Sequence, residues 1–157
     1  MVLAEGGWIM NVLIGVDDSP CSDAAIGHVT GAAWPKATKF LVVSAASPIF
    51  IGPGEATAAD TISRLMEEQE KYHKEIAERA AARLRKAGMT ADARMVPGDP
   101  RTALLDAARS EHADLIVVGS HGRTGIKKLL LGSVASHVVT HAPCSVLIVR
   151  ERVTHSS

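Results

Sequence analysis

Five short apolar segments recur along the chain, and longer segments with the period of an α-helix separate them. Mostly apolar segments of this length are typical of strands that are buried on both faces of a sheet. We therefore predict five β-strands, at Met10–Val16, Phe40–Ala45, Ala91–Val96, Leu115–Val118 and Ser145–Val149.

Four predicted helices lie between these strands, and residues that favour helix starts and stops mark their ends. Ser19-Pro20 and Asp99-Pro100 each combine a capping side chain with a proline in the first turn. Gly88 follows the longest helical pattern and is a typical C-terminal stop. The predicted helices are Pro20 to about Ala33, Ala58–Ala87, Pro100 through Ala108, and Val134–His141.

Alternation of strand and helix predicts an α/β fold, a doubly wound five-stranded parallel sheet with helices on both faces. In such sheets a ligand binds beyond the carboxyl ends of the strands, where the winding reverses. Asp17 follows the first predicted strand, and Gly119 follows the fourth. We expect both residues to line one crevice, although about 100 residues separate them in the sequence.

The most informative pattern is Gly119-Ser120-His121-Gly122, followed after nine residues by Gly132-Ser133. It leaves the end of a predicted strand and leads into the start of the last predicted helix. Amide groups at a helix start point outward, the helix dipole favours an anion, and glycine lets a ligand approach the main chain. The pattern therefore predicts a phosphate-binding loop.

Composition narrows the possible partners. Lys plus Arg and Asp plus Glu number 17 each, and aromatic residues make up 3% of the chain, so neither charge nor stacking favours nucleic acid. No apolar segment is long enough for a membrane span, and the first ten residues do not resemble a signal peptide. We expect a cytoplasmic protein with one domain over residues 10–150 and tails at 1–9 and 151–157.

The two cysteines, Cys21 and Cys144, are too few for a disulfide framework or a cysteine metal site. Cys21 lies near a predicted helix start, where a thiolate is favoured, but no base or partner thiol stands beside it in the sequence. We expect both cysteines to be reduced and Cys21 to be structural.

The pattern Gly119-x2-Gly122-x9-Gly132-Ser133 resembles the ATP-binding signature of the universal stress protein family. The resemblance covers nearly the whole chain, from Val12–Ser19 to His141–Val149. It implies a Rossmann-like fold of the adenine-nucleotide alpha hydrolase-like type, a dimer, and a role in stress survival. Because the glycine signature is intact, the chain resembles the branch of the family that binds ATP.

On the base side of the nucleotide, the resemblance places three residues. Asp17 would accept a hydrogen bond from the adenine amino group or from a ribose hydroxyl. Val16 and Ala45 would border the base, and Ala45 would offer main-chain groups to its edge.

On the phosphate side, the resemblance places Gly119 and Gly122 around the ribose and phosphates. For His121 and Arg123 two interpretations stay open, contact with phosphate or a solvated position in the loop. The phosphates would hold any Mg²⁺ or Mn²⁺. Amide groups at the start of the last helix would donate to the phosphates, those of Gly132, Ser133 and Val134.

The fifth predicted strand is short and apolar and, in the usual strand order, lies at an edge of the sheet. An uncovered apolar edge favours pairing with another chain. The resemblance implies the same, a homodimer formed through Val146, Leu147, Ile148 and Val149.

Two alternative sites are less well supported. Asp17 and Asp18 resemble the acidic pair of a response-regulator receiver, with Asp99 as the acceptor, but Arg150 stands where a receiver needs lysine, and arginine does not replace that ammonium. His137 and His141 are four residues apart on the last predicted helix, but no acidic third ligand lies nearby in the sequence.

Three functions remain open at the level of the sequence. The first is an ATP-binding regulatory protein. The second is a slow ATPase or a nucleotidyl- or phosphoryl-transfer enzyme, which the lack of a Walker A lysine and of a clear metal ligand disfavours. The third is a nucleotide-independent interaction module, which the intact glycine signature disfavours.

Overall fold

The computed structural model describes residues 3–4, 7–50, 59–122 and 130–152 of the chain. The five predicted strands are β3 to β7 in chain order. Two further strands of two residues each, β1 and β2, pair antiparallel near the N-terminus and were not predicted. The elements are β1 (Leu3–Ala4), β2 (Gly7–Trp8), β3 (Asn11–Gly15), α1 (Pro20–Gly31), β4 (Lys39–Ala46), α2 (Ala59–Lys86), β5 (Thr90–Pro97), α3 (Pro100–Ser110), β6 (Leu115–Gly119), α4 (Ser133–His141) and β7 (Ser145–Val149).

The main sheet is parallel throughout, with the strand order β5-β4-β3-β6-β7. The chain starts at the central strand β3, proceeds to β4 and β5 on one side, and then crosses back to β6 and β7 on the other. The winding therefore reverses between β3 and β6. This confirms the predicted doubly wound α/β fold and places β7 at an edge.

Helices cover both faces of the sheet. Leu13 and Ile14 are neighbours in β3, and because successive side chains of a strand point to opposite faces, they enter different cores. Ile14 packs with residues of α1 and α2, whereas Leu13 packs with residues of α3 and α4. No helix in the described part of the chain is both long enough and apolar enough to cross a membrane.

β4 and β5 are each one residue longer at both ends than predicted. β5 has eight residues, as many as β4, and pairs with β4 from Thr90 to Pro97. β5 is an edge strand, and α2 packs against it. Its charged residues Asp92 and Arg94 are exposed, so its sequence does not carry the continuous apolar segment of a fully buried strand.

The predicted helix ends are confirmed with small shifts. Ser19 caps α1, and its Oγ accepts from the Ser22 amide at 3.2 Å. The helix ends at Gly31, earlier than predicted, because Ala32 is extended and the Trp34 indole donates to the Val29 carbonyl at 2.8 Å. Gly88 adopts a φ of +84° after α2, a conformation that favours glycine.

Asp99 caps α3 and is bound on two sides by Arg101. Its carboxylate accepts from the Arg101 amide at 2.8 Å and from the guanidinium Nη2 at 2.7 Å. The side-chain bond chiefly, and the backbone bond after it, favour the ionised carboxylate and lower the pKa of Asp99 from 3.8 to about 2.

We expect Asp99→Ala to lower the free energy of unfolding by ~1 kcal/mol at neutral pH, the usual contribution of a capping side chain. Because the folded pKa is lowered, the contribution of the charge is complete above about pH 4 and is lost as the pH falls toward about 2. Asp99→Asn keeps a capping oxygen without the charge, so its advantage over alanine should not vary across this range. Urea unfolding at neutral pH and at about pH 2 measures both effects, and a pH-independent difference between Asp99 and alanine would contradict the prediction.

Candidate functional site

A cleft of ≈ 200 Å³ opens at the carboxyl ends of β3, β4 and β6, where the winding of the sheet reverses. Ligand pockets usually enclose ~300–1,000 Å³, so the described cleft accommodates part of a nucleotide. Residues 123–129, which follow Gly122 in sequence, lie outside the described residues, and the predicted site residue Arg123 is among them. The predicted site residues that line the cleft are Val16, Asp17, Ala45, Gly119, His121, Gly122 and Val134.

Hydrogen bonds to the start of α1 fix the Asp17 carboxylate. Oδ1 accepts from the Ser19 amide at 2.9 Å, and the Asp17 amide donates to Ser22 Oγ at 3.0 Å. Oδ2 faces Gly122, where an added Cβ would lie 3.0 Å from it. One carboxylate oxygen is therefore held by the backbone, and the other is directed toward the glycine loop.

Asp18, its neighbour, points elsewhere. The Tyr72 hydroxyl of α2 donates to Asp18 Oδ2, whereas Asp17 Oδ1 accepts from the Ser19 amide. This geometry agrees with our rejection of the receiver interpretation.

Glycine is needed in the signature because neighbouring atoms leave little room for a Cβ, and not because of the backbone conformation. Gly119, Gly122 and Gly132 do not have φ values in the positive range that excludes other residues. An added Cβ at Gly119 would lie 2.8 Å from the carbonyl carbon of Cys21, and one at Gly132 would lie 3.2 Å from His121 Cα. Gly119 therefore lets α1 approach β6, and Gly132 lets the two ends of the glycine loop meet.

The start of α4 differs from the starts of α1 and α3. Side chains cap α1 and α3, but no side chain caps α4. The Gly132 amide, which the sequence analysis assigned to phosphate, donates instead to the Ser120 carbonyl at 2.7 Å. Ser133 and Val134 precede the first intrahelical bond, from the Ser136 amide to the Gly132 carbonyl, so their amides lack an acceptor within the helix.

His121 is bound to the protein at both its side chain and its backbone. Its Nδ1 lies 3.1 Å from Ser120 Oγ, and its carbonyl accepts from Ser19 Oγ at 3.5 Å. The same Ser120 Oγ lies 3.6 Å from the buried thiol of Cys21. These contacts join the glycine loop to the start of α1.

The sequence analysis missed polar residues that line the cleft near the end of β4 and on α2, namely Ser47, Gln69 and His73. Ser44 Oγ lies 2.8 Å from His73 Nδ1, and both residues are buried. Gln69 Nε2 donates to the Ser47 carbonyl at 2.8 Å. Gln69 and His73 interrupt the apolar face of α2 four residues apart, which is the signal that would have found them.

Burial raises the pKa of the Cys144 thiol, which keeps it protonated at neutral pH and agrees with a structural role. Both cysteines are free thiols.

In the ranges that the structure describes, no group of three or more His, Cys, Asp or Glu side chains is placed to hold a metal ion. His137 and His141 stack with ring centroids 4.3 Å apart.

The sheet order and the position of the cleft define a doubly wound α/β protein with a cleft at its switch point. A sequence model of the universal stress protein family matches residues 9–150. The chain belongs to this family, which confirms the resemblance that its glycine signature indicated.

Known relatives match this chain in sequence or in structure over most of their own length. The Thermus aquaticus "Universal stress protein in QAH/OAS sulfhydrylase 3'region" is 34% identical over 139 residues, covering 88% of this chain and 97% of that protein. The solved structure of hypothetical protein MJ0577 is similar with a TM-score of 0.78 and 25% identity, over 90% of this chain and 96% of its own. A universal stress protein solved in complex with cAMP has a TM-score of 0.65 and 32% identity, over 89% of this chain and 96% of its own.

Proposed function

We propose that this universal stress protein binds ATP in the cleft and acts as a regulatory protein whose nucleotide state changes its interactions. The observation that carries the proposal is the position of Asp17 and the uncapped start of α4 on one cleft at the switch point. A related universal stress protein was solved with cAMP, which supports an adenine nucleotide as the ligand.

The two ends of the cleft suit the two ends of a nucleotide. Apolar side chains from β3, β4, β6 and α3 line one part of it, namely Val16, Val43, Val118 and Leu104. They would bury the base, and Asp17 Oδ2 would accept from the adenine amino group or from a ribose hydroxyl. The amides of Ser133 and Val134 would donate to phosphate, where the dipole of α4 also favours an anion.

Several contacts must act together to bind the nucleotide. A charge at an exposed helix start is stabilised by ~0.3–1 kcal/mol, whereas micromolar affinity needs about 8 kcal/mol. Burial of the base therefore has to supply most of the affinity, with the phosphates adding to it. Any Mg²⁺ or Mn²⁺ would be held by the phosphates, and Arg123 would contact them.

The test is thermal unfolding with and without ATP. At 100 times the dissociation constant, ATP should stabilise the protein by ~2.7 kcal/mol, a rise of roughly 5–10 °C in Tm. Titrations with cAMP and GTP in parallel identify the preferred nucleotide. The absence of a shift with every adenine nucleotide would contradict the proposal.

The second candidate function is slow ATP hydrolysis by the same site. In the described ranges no group of three or more His, Cys, Asp or Glu side chains is placed to hold a metal ion, and phosphoryl transfer usually needs a held Mg²⁺. Phosphate release from the same ATP samples separates the two functions. Turnover that consumes the bound ATP within minutes would make the protein an enzyme.

We also propose a homodimer that pairs the β7 edge of two copies. β7 is the edge strand beside β6, and its residues Val146, Leu147 and Ile148 are half-exposed. Val149 is buried in the core and its carbonyl accepts from the Ser120 amide, so it contributes to the fold, and the proposed contact falls on the other three residues. An apolar edge of this kind favours pairing with a second strand.

Leu147→Lys is expected to shift the protein from dimer to monomer, because a charge would be placed on each copy of the paired edge. Leu65→Lys on α2 is the matched control, since Leu65 is 45% exposed and α2 packs against β4 and β5 at the other side of the sheet. Sedimentation at micromolar concentration measures the change. A monomeric wild type, or a Leu147→Lys variant that remains dimeric, would contradict the proposed interface.

A further inference from the structure

The carboxyl end of β7 contacts both described ends of the glycine loop. We call residues 120–122 the outgoing limb and residues 130–132 the return limb. The Ser120 amide donates to the Val149 carbonyl at 2.8 Å. Arg150, the residue after β7, donates from Nη2 to the Leu130 carbonyl at 3.1 Å.

A third hydrogen bond joins the two limbs directly, from the Gly132 amide to the Ser120 carbonyl at 2.7 Å. Together the three bonds connect the end of β7 to each limb and connect the two limbs to each other. Two of them join backbone groups, whereas the bond from Arg150 is made by a side chain. It can therefore be removed without changing the backbone.

Within the return limb, Leu131 packs against the core shared with α3 and α4, but Leu130 does not. Leu130 is 80% exposed, so burial of its side chain does not fix its position. Arg150 is exposed and, within the described ranges, takes part in no ion pair. Its guanidinium contacts the Leu130 carbonyl, three residues before the first residue of α4.

We propose that Arg150 is a positioning residue for the nucleotide site. Its guanidinium fixes the return limb against the end of β7, and the return limb sets where Gly132 and the first amides of α4 lie. Arg150 acts through the loop and not by touching the phosphates. The inference rests on the proposed function for its effect on ATP, but its effect on the loop is independent of any ligand.

The first experiment follows amide hydrogen exchange without nucleotide in the wild type, Arg150→Met and Arg150→Lys. Loss of the bond to Leu130 should speed exchange of the Gly132 amide about five- to ten-fold in Arg150→Met. Arg150→Lys retains a donor on a chain of similar length and should exchange close to the wild-type rate. Arg152→Met is the matched control, because it removes an exposed arginine two residues along the chain.

The second experiment measures the dissociation constant for ATP in the same proteins. Arg150→Met should bind about five- to ten-fold more weakly, Arg150→Lys should restore most of the affinity, and Arg152→Met should match the wild type. Unchanged Tm values in the absence of ATP would show that the fold is intact in each variant.

Unchanged Gly132 exchange in Arg150→Met would overturn the proposal, whatever happens to ATP binding. Weaker ATP binding with unchanged exchange would mean that Arg150 contacts phosphate directly. If the wild type binds no ATP, the proposed function fails, and the exchange experiment still decides whether Arg150 positions the loop.

Discussion

Gly119→Ala should lower the free energy of unfolding by about 2–3 kcal/mol, although it adds a single methyl group. The new Cβ would lie 2.8 Å from the Cys21 carbonyl carbon and 2.9 Å from its carbonyl oxygen. These atoms belong to the backbone of the first turn of α1, which cannot rotate away as a side chain can. The whole helix start must move from β6, and its packing against the sheet is lost with it.

Urea unfolding of the purified variant measures this loss of stability. Gly27→Ala is the matched control, because an added Cβ at this position in α1 meets nothing within 4 Å. Alanine inside a helix is favoured over glycine by ~0.5–1 kcal/mol, so the control should be slightly more stable than the wild type. A Gly119→Ala protein with wild-type stability would show that α1 adapts to the contact.

Gly132→Val should remove the stabilisation by ATP, from ~2.7 kcal/mol at 100 times the wild-type dissociation constant to near zero. An added Cβ would lie 3.2 Å from His121 Cα and 3.3 Å from the Ser120 carbonyl oxygen. Because these are again backbone atoms, valine would separate the two limbs of the glycine loop. The amides of Ser133 and Val134 would then move away from the phosphates.

The measurement compares Tm with and without ATP in both proteins. Gly31→Val is the control, since Gly31 lies at the end of α1 and an added Cβ there meets nothing within 4 Å. It should keep the full shift. An equal ATP shift in Gly132→Val and the wild type would place the nucleotide elsewhere.

Much of the fold could be predicted from the sequence because its strands and helices carry strong local signals. Apolar segments located all five strands of the main sheet, and Ser19, Gly88 and Asp99 marked helix ends that the structure confirms. β4 and β5 each extend one residue beyond the predicted segment at both ends, since backbone pairing between the two strands, and not apolar character, sets where they end.

For the site, the glycine loop could be identified from the sequence as the candidate phosphate-binding segment. The spacing of Gly119, Gly122 and Gly132, together with alternating strands and helices, led to the family and to a crevice shared with Asp17. A strand end and a helix start are local features, and the topology of a doubly wound sheet brings such ends together at a known place. These conclusions therefore follow from the sequence alone.

The reason for each glycine and the identity of the polar groups around the cleft depend on contacts between distant segments, which the tertiary structure shows. Gly119 is required by Cys21, 98 residues earlier in the chain, and the buried pair of Ser44 and His73 joins β4 to α2. Arg150 contacts the Leu130 carbonyl of the glycine loop because β7 pairs with β6, the strand from which the loop leaves. The periodicity of a segment reports which of its faces is buried, but contacts between distant segments depend on how those faces are placed against one another.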